Sequence, residues 1–320
     1  MEALWIMLRN VLVFVALAVP GFLLVKIKLL KAEQSGALSK LLMYVGMPFL
    51  VITSTVDKMT FNKELIVMIA VTMLLTIVIM MGIFFASKPV AKIETEQKKN
   101  GMMRFCTVFS NNGFLGIPLA IAVLSGNANA VTVLIAMNIV TNIMLYTVGI
   151  YLISGDRKAI SVKKALLSPV LIAFIVGVVL NVLNVKEYIP EVGTYCTHFS
   201  NTVTPISMTI LGMKMGGVKM LDLFKSWKTY YVSAIKLIVF PVIALGILFA
   251  LRAIFEGSVI NSSMILGAFI SLATPSSGLS STFSDNFDGD TEGAVAYTLG
   301  STLLSVATIP VLYWILCMIV

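Results

Sequence analysis

Two stretches of the chain gather residues that an apolar helix normally excludes. One reads Phe109-Ser110-Asn111-Asn112-Gly113-Phe114-Leu115-Gly116-Ile117-Pro118, the other Leu272-Ala273-Thr274-Pro275-Ser276-Ser277-Gly278-Leu279-Ser280-Ser281. Each sets glycine, proline and small polar side chains in the middle of an apolar run. Proline removes a backbone hydrogen bond and clashes with the preceding turn, and glycine costs ~1 kcal/mol relative to alanine. Helices broken at these points would expose unpaired N–H groups at the start of their second halves. Such ends carry about half a positive charge and bind anions. Asn111, Asn112, Thr274, Ser276 and Ser277 would add donors and acceptors without formal charge. A carboxylate is the natural guest of such a site. The expected substrate-binding set is therefore Asn111, Asn112, Gly113, Thr274, Pro275, Ser276 and Ser277, with Gly116, Pro118 and Gly278 at the breaks.

Two further groups could join them. Asn138, Thr141 and Asn142 lie in a neighbouring apolar run, and Asn138 and Asn142, four apart, share one helical face. They read either as substrate ligands or as hydrogen-bonding glue between helices. Lys236 sits in Ile235-Lys236-Leu237-Ile238-Val239-Phe240-Pro241, some ~12 Å inside its run at 1.5 Å per residue. A long side chain can snorkel back to the interface. Charge at that depth is costly, so the expected use is compensation of the negative C-terminal ends of the two first half-helices.

The elements that must position these residues follow from composition. Of 320 residues, 58% are apolar and 12% charged, against about 45–50% and about 25% in a soluble domain. Mean hydropathy is +0.99. The solvent is a bilayer, and a span needs ~20 residues. Ten apolar segments can be marked, at 4–25, 37–56, 64–87, 102–124, 129–153, 166–184, 190–214, 229–254, 261–284 and 291–318. Continuous runs of this length are helices, because barrel strands alternate over ~10 residues. No soluble domain of ~100 residues fits beside them.

Charge orients the bundle. The net charge of +8 does not point to nucleic acid, because cations crowd the cytoplasmic loops of membrane proteins. Lys26, Lys28, Lys31, Lys40, Lys88, Lys92, Lys98, Lys99, Arg104, Arg157, Lys158, Lys163, Lys164, Lys214, Lys219, Lys225 and Lys228 lie in or beside odd-numbered loops, against Lys58, Lys63, Lys186 and Arg252 in even ones. Odd loops are expected in the cytoplasm, and both termini outside it. The first run reaches Leu30 without an A-x-A-like cleavage site and reads as a mature helix.

The two halves look related. A shift of 162 lays 124–153 on 286–315, Gly116 on Gly278 and Gly113 on Pro275, while a shift of 157 pairs Pro48 with Pro205. Five helices per half is odd, so the second copy would insert upside down, and matching breaks in an inverted repeat mark a transporter's binding site. The expected organisation is a first repeat at 1–155, a cytoplasmic linker at 156–165 and an inverted second repeat at 166–320.

Other chemistries find no support. Cys106, Cys196 and Cys317 sit in apolar stretches and give neither a disulfide framework nor metal spacing. Asp285, Asp288, Asp290 and Glu292 fail the EF-hand pattern, since Gly289 at its sixth position puts Val295 at the twelfth. Gly278-Leu279-Ser280 lacks a following histidine to serve as base. His198, the single histidine, is away from the breaks and reads as a packing or hydrogen-bonding residue. No cofactor, metal or catalytic residue is expected.

Asn112-Gly113-Phe114-Leu115-Gly116-Ile117-Pro118-Leu119 resembles the fourth-helix signature of the auxin efflux carrier family, and Lys236 with Pro241, and Ser168-Pro169, resemble its eighth- and sixth-helix patterns. The resemblance covers essentially the whole chain. It implies an all-α membrane protein of ten spans, five plus five inverted. Spans one, two, six and seven would form a dimerising scaffold, and spans three to five and eight to ten a moving transport domain with the fourth and ninth crossed at their breaks. It places Asn111 where plant members meet the substrate carboxylate, Asn138 at their polar fifth-helix position and Pro275 at the ninth-helix crossover proline. The short seam between halves is similar to bacterial members, which include malate and malonate carriers. The implied function is a secondary transporter of a small organic anion, working as an elevator in the cell membrane. Sodium coupling, as in bile-acid carriers of related architecture, is the alternative. It ranks second because the segments lack the intramembrane acids that favour a bound cation.

Overall fold

The computed structural model describes residues 2–59, 62–124, 126–160, 163, 166–219, 223, 225–255 and 260–320. Four residues of the expected linker, 161, 162, 164 and 165, lie outside that set, Lys164 among them. Among the described residues the regular structure is helical, with one isolated β-bridge and no strand.

The helices are α1 (Glu2–Lys26), α2 (35–58), α3 (Lys63–Val90), α4 (Gln97–Val108), α5 (Asn112–Val123), α6 (Ala128–Ser154), α7 (Pro169–Val182), α8 (Pro190–Ser200), α9 (Val203–Gly216), α10 (Trp227–Ile254), α11 (Ser262–Ala273), α12 (Ser280–Asn286) and α13 (Thr291–Cys317). Among the described residues six stretches are long and apolar enough to cross a membrane, in α1, α2, α3, α6, α10 and α13, and α5, α7 and α11 are shorter apolar helices. Their starts are written in the sequence. Asn62, Asn127, Asn261 and Asp290 each accept a backbone N–H three residues on, at 2.7–3.0 Å, the preferred capping chemistry.

Exposure separates lining from interior. Leu12, Val13, Leu74, Val78, Ile175, Val179, Val242 and Ile243 point outward from α1, α3, α7 and α10. An apolar face of this extent belongs in lipid and not in water. The protein is a multi-pass, all-α membrane protein. In α6 the best spanning window is 72% buried, against 22% in α1. The helix that carries Asn138 and Asn142 is thus surrounded by protein, whereas most of α1 is exposed.

Proline did less breaking than the sequence suggested. At Pro48, Pro118 and Pro241 the helix continues, because a wide π turn, Leu42–Gly46, Asn112–Gly116 or Ile235–Val239, ends two residues before the ring. The extra residue in such a turn relieves the clash with the preceding carbonyl. Gly116 and Pro118 therefore lie inside α5, and the break they were expected to make falls earlier, at 109–111. The seventh segment, by contrast, is interrupted where no break was expected, between α8 and α9 at 201–202.

Two groups of helices pack closely among themselves. α1 lies along α9, while α2 packs on α7 and α8; α6 packs on α3 and α11, and α13 on α10, α12 and α4, with α1 and α13 joining the two groups. Asn181 of α7 donates to the carbonyls of Thr55, Val56 and Met59 at 2.9–3.2 Å, closing the end of α2. Between α1 and α9 the backbones themselves touch. A Cβ on Gly212 would overlap the Ala18 carbonyl, and one on Gly21 the Thr209 carbonyl. Close approach at small residues is how helices associate where lipid removes the hydrophobic drive. Gly212→Ala should therefore lower the apparent melting temperature of detergent-solubilised protein, at a cost of about 1–3 kcal/mol. Gly246→Ala, with nothing within 4 Å of its Cβ position, should not, and equal melting of the two variants would contradict this packing.

Candidate functional site

The breaks meet. Asn111 N–H donates to the Pro275 carbonyl at 2.8 Å, and Ser277 N–H donates to the Phe109 carbonyl at 2.9 Å. These two bonds make the antiparallel bridge between Ser110 and Ser276. Segment 109–111 and segment 275–277 each supply the backbone partner that the other lost on leaving the helix. Such mutual satisfaction makes irregular backbone tolerable away from water, where it must be met by protein or a cavity.

The two serines of the bridge repeat the exchange with side chains. Ser276 Oγ donates to the Cys106 carbonyl in the last turn of α4 at 2.7 Å, and Ser110 Oγ approaches the Leu272 carbonyl in the last turn of α11 at 3.5 Å. Each break thus caps a carbonyl end of the other helix. Lys236, only 2% exposed, donates to Ser110 Oγ. Its charge lies beside the C-terminal end of α11, the sign that a helix C-terminus favours. Around segment 275–277, α13 provides further partners: Ser276 N–H donates to Ser301 Oγ at 3.1 Å, and Thr298 Oγ1 reaches Ser280 Oγ at 2.6 Å. Ser110, Thr298 and Ser301 escaped the sequence reading. The i, i+3 spacing of Thr298 and Ser301 in an otherwise apolar helix was the available signal.

On the other side of the crossing a buried amide network holds α5 to α6. Asn112 Nδ2 donates to Thr141 Oγ1 at 3.0 Å and to Ser271 Oγ at 3.1 Å, while its Oδ1 accepts from Asn138 Nδ2 at 2.9 Å. Asn142 Nδ2 donates to the Asn138 carbonyl at 2.8 Å and to its Oδ1 at 3.2 Å. Asn112 and Asn138 are each 2% exposed.

A cavity of about 40 Å³ opens against this network, lined on one side by Asn111, Asn112, Gly113, Asn138, Asn142 and Ser277. Met43 and Met47 of α2, and Ser168, Pro169 and Val170 at the start of α7, form the facing wall. The structure brings these six expected residues together. Thr274, Pro275 and Ser276 stay behind the crossing, and Gly278 and Lys236 do not line the cavity either. Thr274 Oγ1 turns back to the Ser271 carbonyl at 3.1 Å, so these residues build the crossing and leave the lining to others. Gly113 is required by space, since a Cβ there would stand 3.0 Å from Asn138 Nδ2 and 3.1 Å from Met47 Cε. Among the lining amides only that of Asn111 makes no hydrogen bond to protein; its backbone is held by the Pro275 bond while its side chain faces the cavity. The first N–H groups of α5 open beside it, with no helical carbonyl a turn below them.

Two cations assigned to loops turned out to be structural. Arg104 lies within α4, its guanidinium donating to Ser87 Oγ at 3.0 Å and the Phe84 carbonyl at 3.2 Å. Lys214 lies in the last turn of α9 and donates to the Gly278 carbonyl at 3.0 Å and Ser281 Oγ at 2.8 Å. The acidic cluster does solvent-side work: Asp290 caps α13, and Asp288 pairs with Lys98 at 2.6 Å.

Adjacent asparagines should respond differently to truncation. Asn112→Ala orphans Asn138 and should destabilise by about 1–2 kcal/mol, the worth of such bonds between membrane helices. Asn111→Ala removes an amide with no protein partner and should leave the melting temperature close to wild type. Thermal unfolding of both variants in one detergent tests the contrast, and a larger loss at Asn111 would refute it.

Comparison with known proteins agrees with this architecture. The family model described as "Membrane transport protein" matches residues 6–313. An "Uncharacterized transporter" of Methanothermobacter thermautotrophicus is 25% identical over 304 residues, spanning 94% of this chain and 96% of that protein.

Proposed function

The chain belongs to the membrane transport protein family, to which its resemblance to auxin efflux carriers pointed, and we propose that it is a secondary transporter of a small organic anion. The observation that carries this reading is the crossing of two broken helices beside a cavity that holds one unpartnered amide, Asn111, next to the open N-terminus of α5. Helix N-termini and neutral donors bind a carboxylate without a buried counter-charge. In transporters built of repeats, such breaks lie at the midplane and hold the substrate.

In this reading Asn111, the first N–H groups of α5 and Ser277 receive the carboxylate. Asn112, Asn138 and Asn142 fix the frame that aims them. Lys236 and Ser110 offset the carbonyl end of α11. At about 40 Å³ the cavity has room for roughly three waters, so a whole organic acid enters only when the wall from α2 and α7 draws back. The flexible side chains of Met43 and Met47 suit a wall that must re-form around different positions of the crossing. We take α1, α2, α7, α8 and α9 as the fixed scaffold and the remaining helices as the moving body, in a five-plus-five inverted arrangement with odd-numbered loops in the cytoplasm. Movement of the crossing past the scaffold then gives elevator-type alternating access. A homodimer joined through the scaffold goes with this proposal.

Purified protein should be stabilised by a carboxylate that it carries, since a ligand of the folded state raises the melting temperature by mass action. A screen of mono- and dicarboxylates, with and without sodium, followed by uptake into liposomes, is the test. Stabilisation and uptake should both fall at least tenfold in apparent affinity in Asn111→Ala, corresponding to about 1.4 kcal/mol. Undiminished uptake in that variant would remove the assigned site, and uptake only in sodium would favour the symporter reading.

A further inference from the structure

α9 bonds to the chain at or just after each break. Ser207 Oγ donates to the Phe114 carbonyl at 3.1 Å, at the start of α5. Lys214 Nζ donates to the Gly278 carbonyl at 3.0 Å and to Ser281 Oγ at 2.8 Å, at the start of α12. The two residues are seven apart, two helical turns, and so lie on one face. That helix is closely paired with α1, because at Gly21, Gly212 and Gly216 the two backbones approach too near for a Cβ to fit between them. Its targets belong to a second unit, tied together by the Asn111–Pro275 and Ser277–Phe109 bonds. Beside the packing of α1 on α13 and α5, α9 reaches the second unit with side chains that bond backbone carbonyls and a hydroxyl.

The character of this contact is unusual for a lysine inside a bundle. Both acceptors of the ammonium, the Gly278 carbonyl and Ser281 Oγ, are neutral, so the bonds lack the strength of an ion pair with a carboxylate. A lysine stem is flexible and its head is a compact point charge with three donors. Such a group can let go and find water or other acceptors nearby. A carboxylate partner in the same place would weld the two units together.

We propose that Lys214, assisted by Ser207, is a positioning residue that holds the crossing against the α1–α9 pair in this conformation and must release it in each transport cycle. The inference rests on the elevator reading above. It deepens that reading by naming the side chain that registers one end position of the moving body.

The test uses the full chain in liposomes with Cys317, the exposed cysteine, replaced by serine. Lys214→Cys and Ser281→Cys are combined and bridged by a bis-methanethiosulfonate whose spacer matches the reach of a lysine. Lys98→Cys with Asp288→Cys, two residues within the proposed moving body, is the control. Bridging 214 to 281 should abolish carboxylate uptake, with recovery on reduction, while bridging 98 to 288 should leave it intact. Uptake that continues in fully bridged 214/281 protein overturns the latch but leaves the transport reading standing. Absence of uptake in the unmodified chain overturns both. Should the reduced 214/281 variant be inactive, deuterium uptake decides. Lys214→Met should speed exchange at least threefold across 276–284, with α1 unaffected, and Lys214→Arg should restore it. Equal exchange in Met and Arg variants refutes the assignment.

Discussion

An unsatisfied backbone amide in hydrocarbon costs several kcal/mol, and this single penalty organises the centre of the molecule. The breaks α4–α5 and α11–α12 support one another. Each supplies backbone partners that the other lost, N–H for carbonyl, at 109–111 and 275–277. The mutual debt extends to the serines of the bridge, which reach the last carbonyls of the opposite helices. Two separately irregular segments become one regular object, a short antiparallel pair in the middle of a helical bundle.

Everything packed against that pair is chosen to keep it satisfied. α13 turns Thr298 and Ser301 toward one side, and α6 turns Asn138 and Thr141 toward the other. The burial of α6 follows from this duty: a helix carrying Asn138, Thr141 and Asn142 within about one turn cannot present them to lipid. Lys236 obeys the same rule, since its ammonium ends on a hydroxyl of the break and not on solvent. α1, with no such group at its core-facing residues Val11, Phe14 and Ala18, is free to face the bilayer over most of its surface.

The sequence was most legible where composition changed abruptly. The polar runs around Asn111 and Ser276 announced the crossing, and the amides at Asn138 and Asn142 announced an interior helix. The limits of reading were physical. Proline was taken as the breaker at Pro118, yet a wide turn absorbed it and the chain broke at Phe109-Ser110-Asn111. The carbonyl four residues before Pro118, that of Phe114, accepts from Ser207 Oγ, while the partners that let the chain break at 109–111 lie some 160 residues away; neither is visible in a local stretch of sequence. Lys214 was counted with the loop cations because its distance from the end of an apolar run is all that a sequence gives. Its partners at Gly278 and Ser281 are visible only once α9 is set beside the crossing. For the same reason Thr274, Pro275 and Ser276 could not be told from Ser277: four consecutive polar or small residues look alike until the backbone turns one of them to the cavity.

The smallness of the cavity bears on throughput. A space of about 40 Å³ with methionines across from the amides offers no continuous water column along which ions could stream. Under the transport function proposed above, each solute would wait for the walls to part and close again. Collective domain motions take microseconds to milliseconds, and in that reading this interval, not diffusion through a pore, would bound the flux. The same narrowness would confer electrical tightness, because a vestibule that admits only a few waters between passages would not short-circuit the ion gradients of the membrane in which it sits.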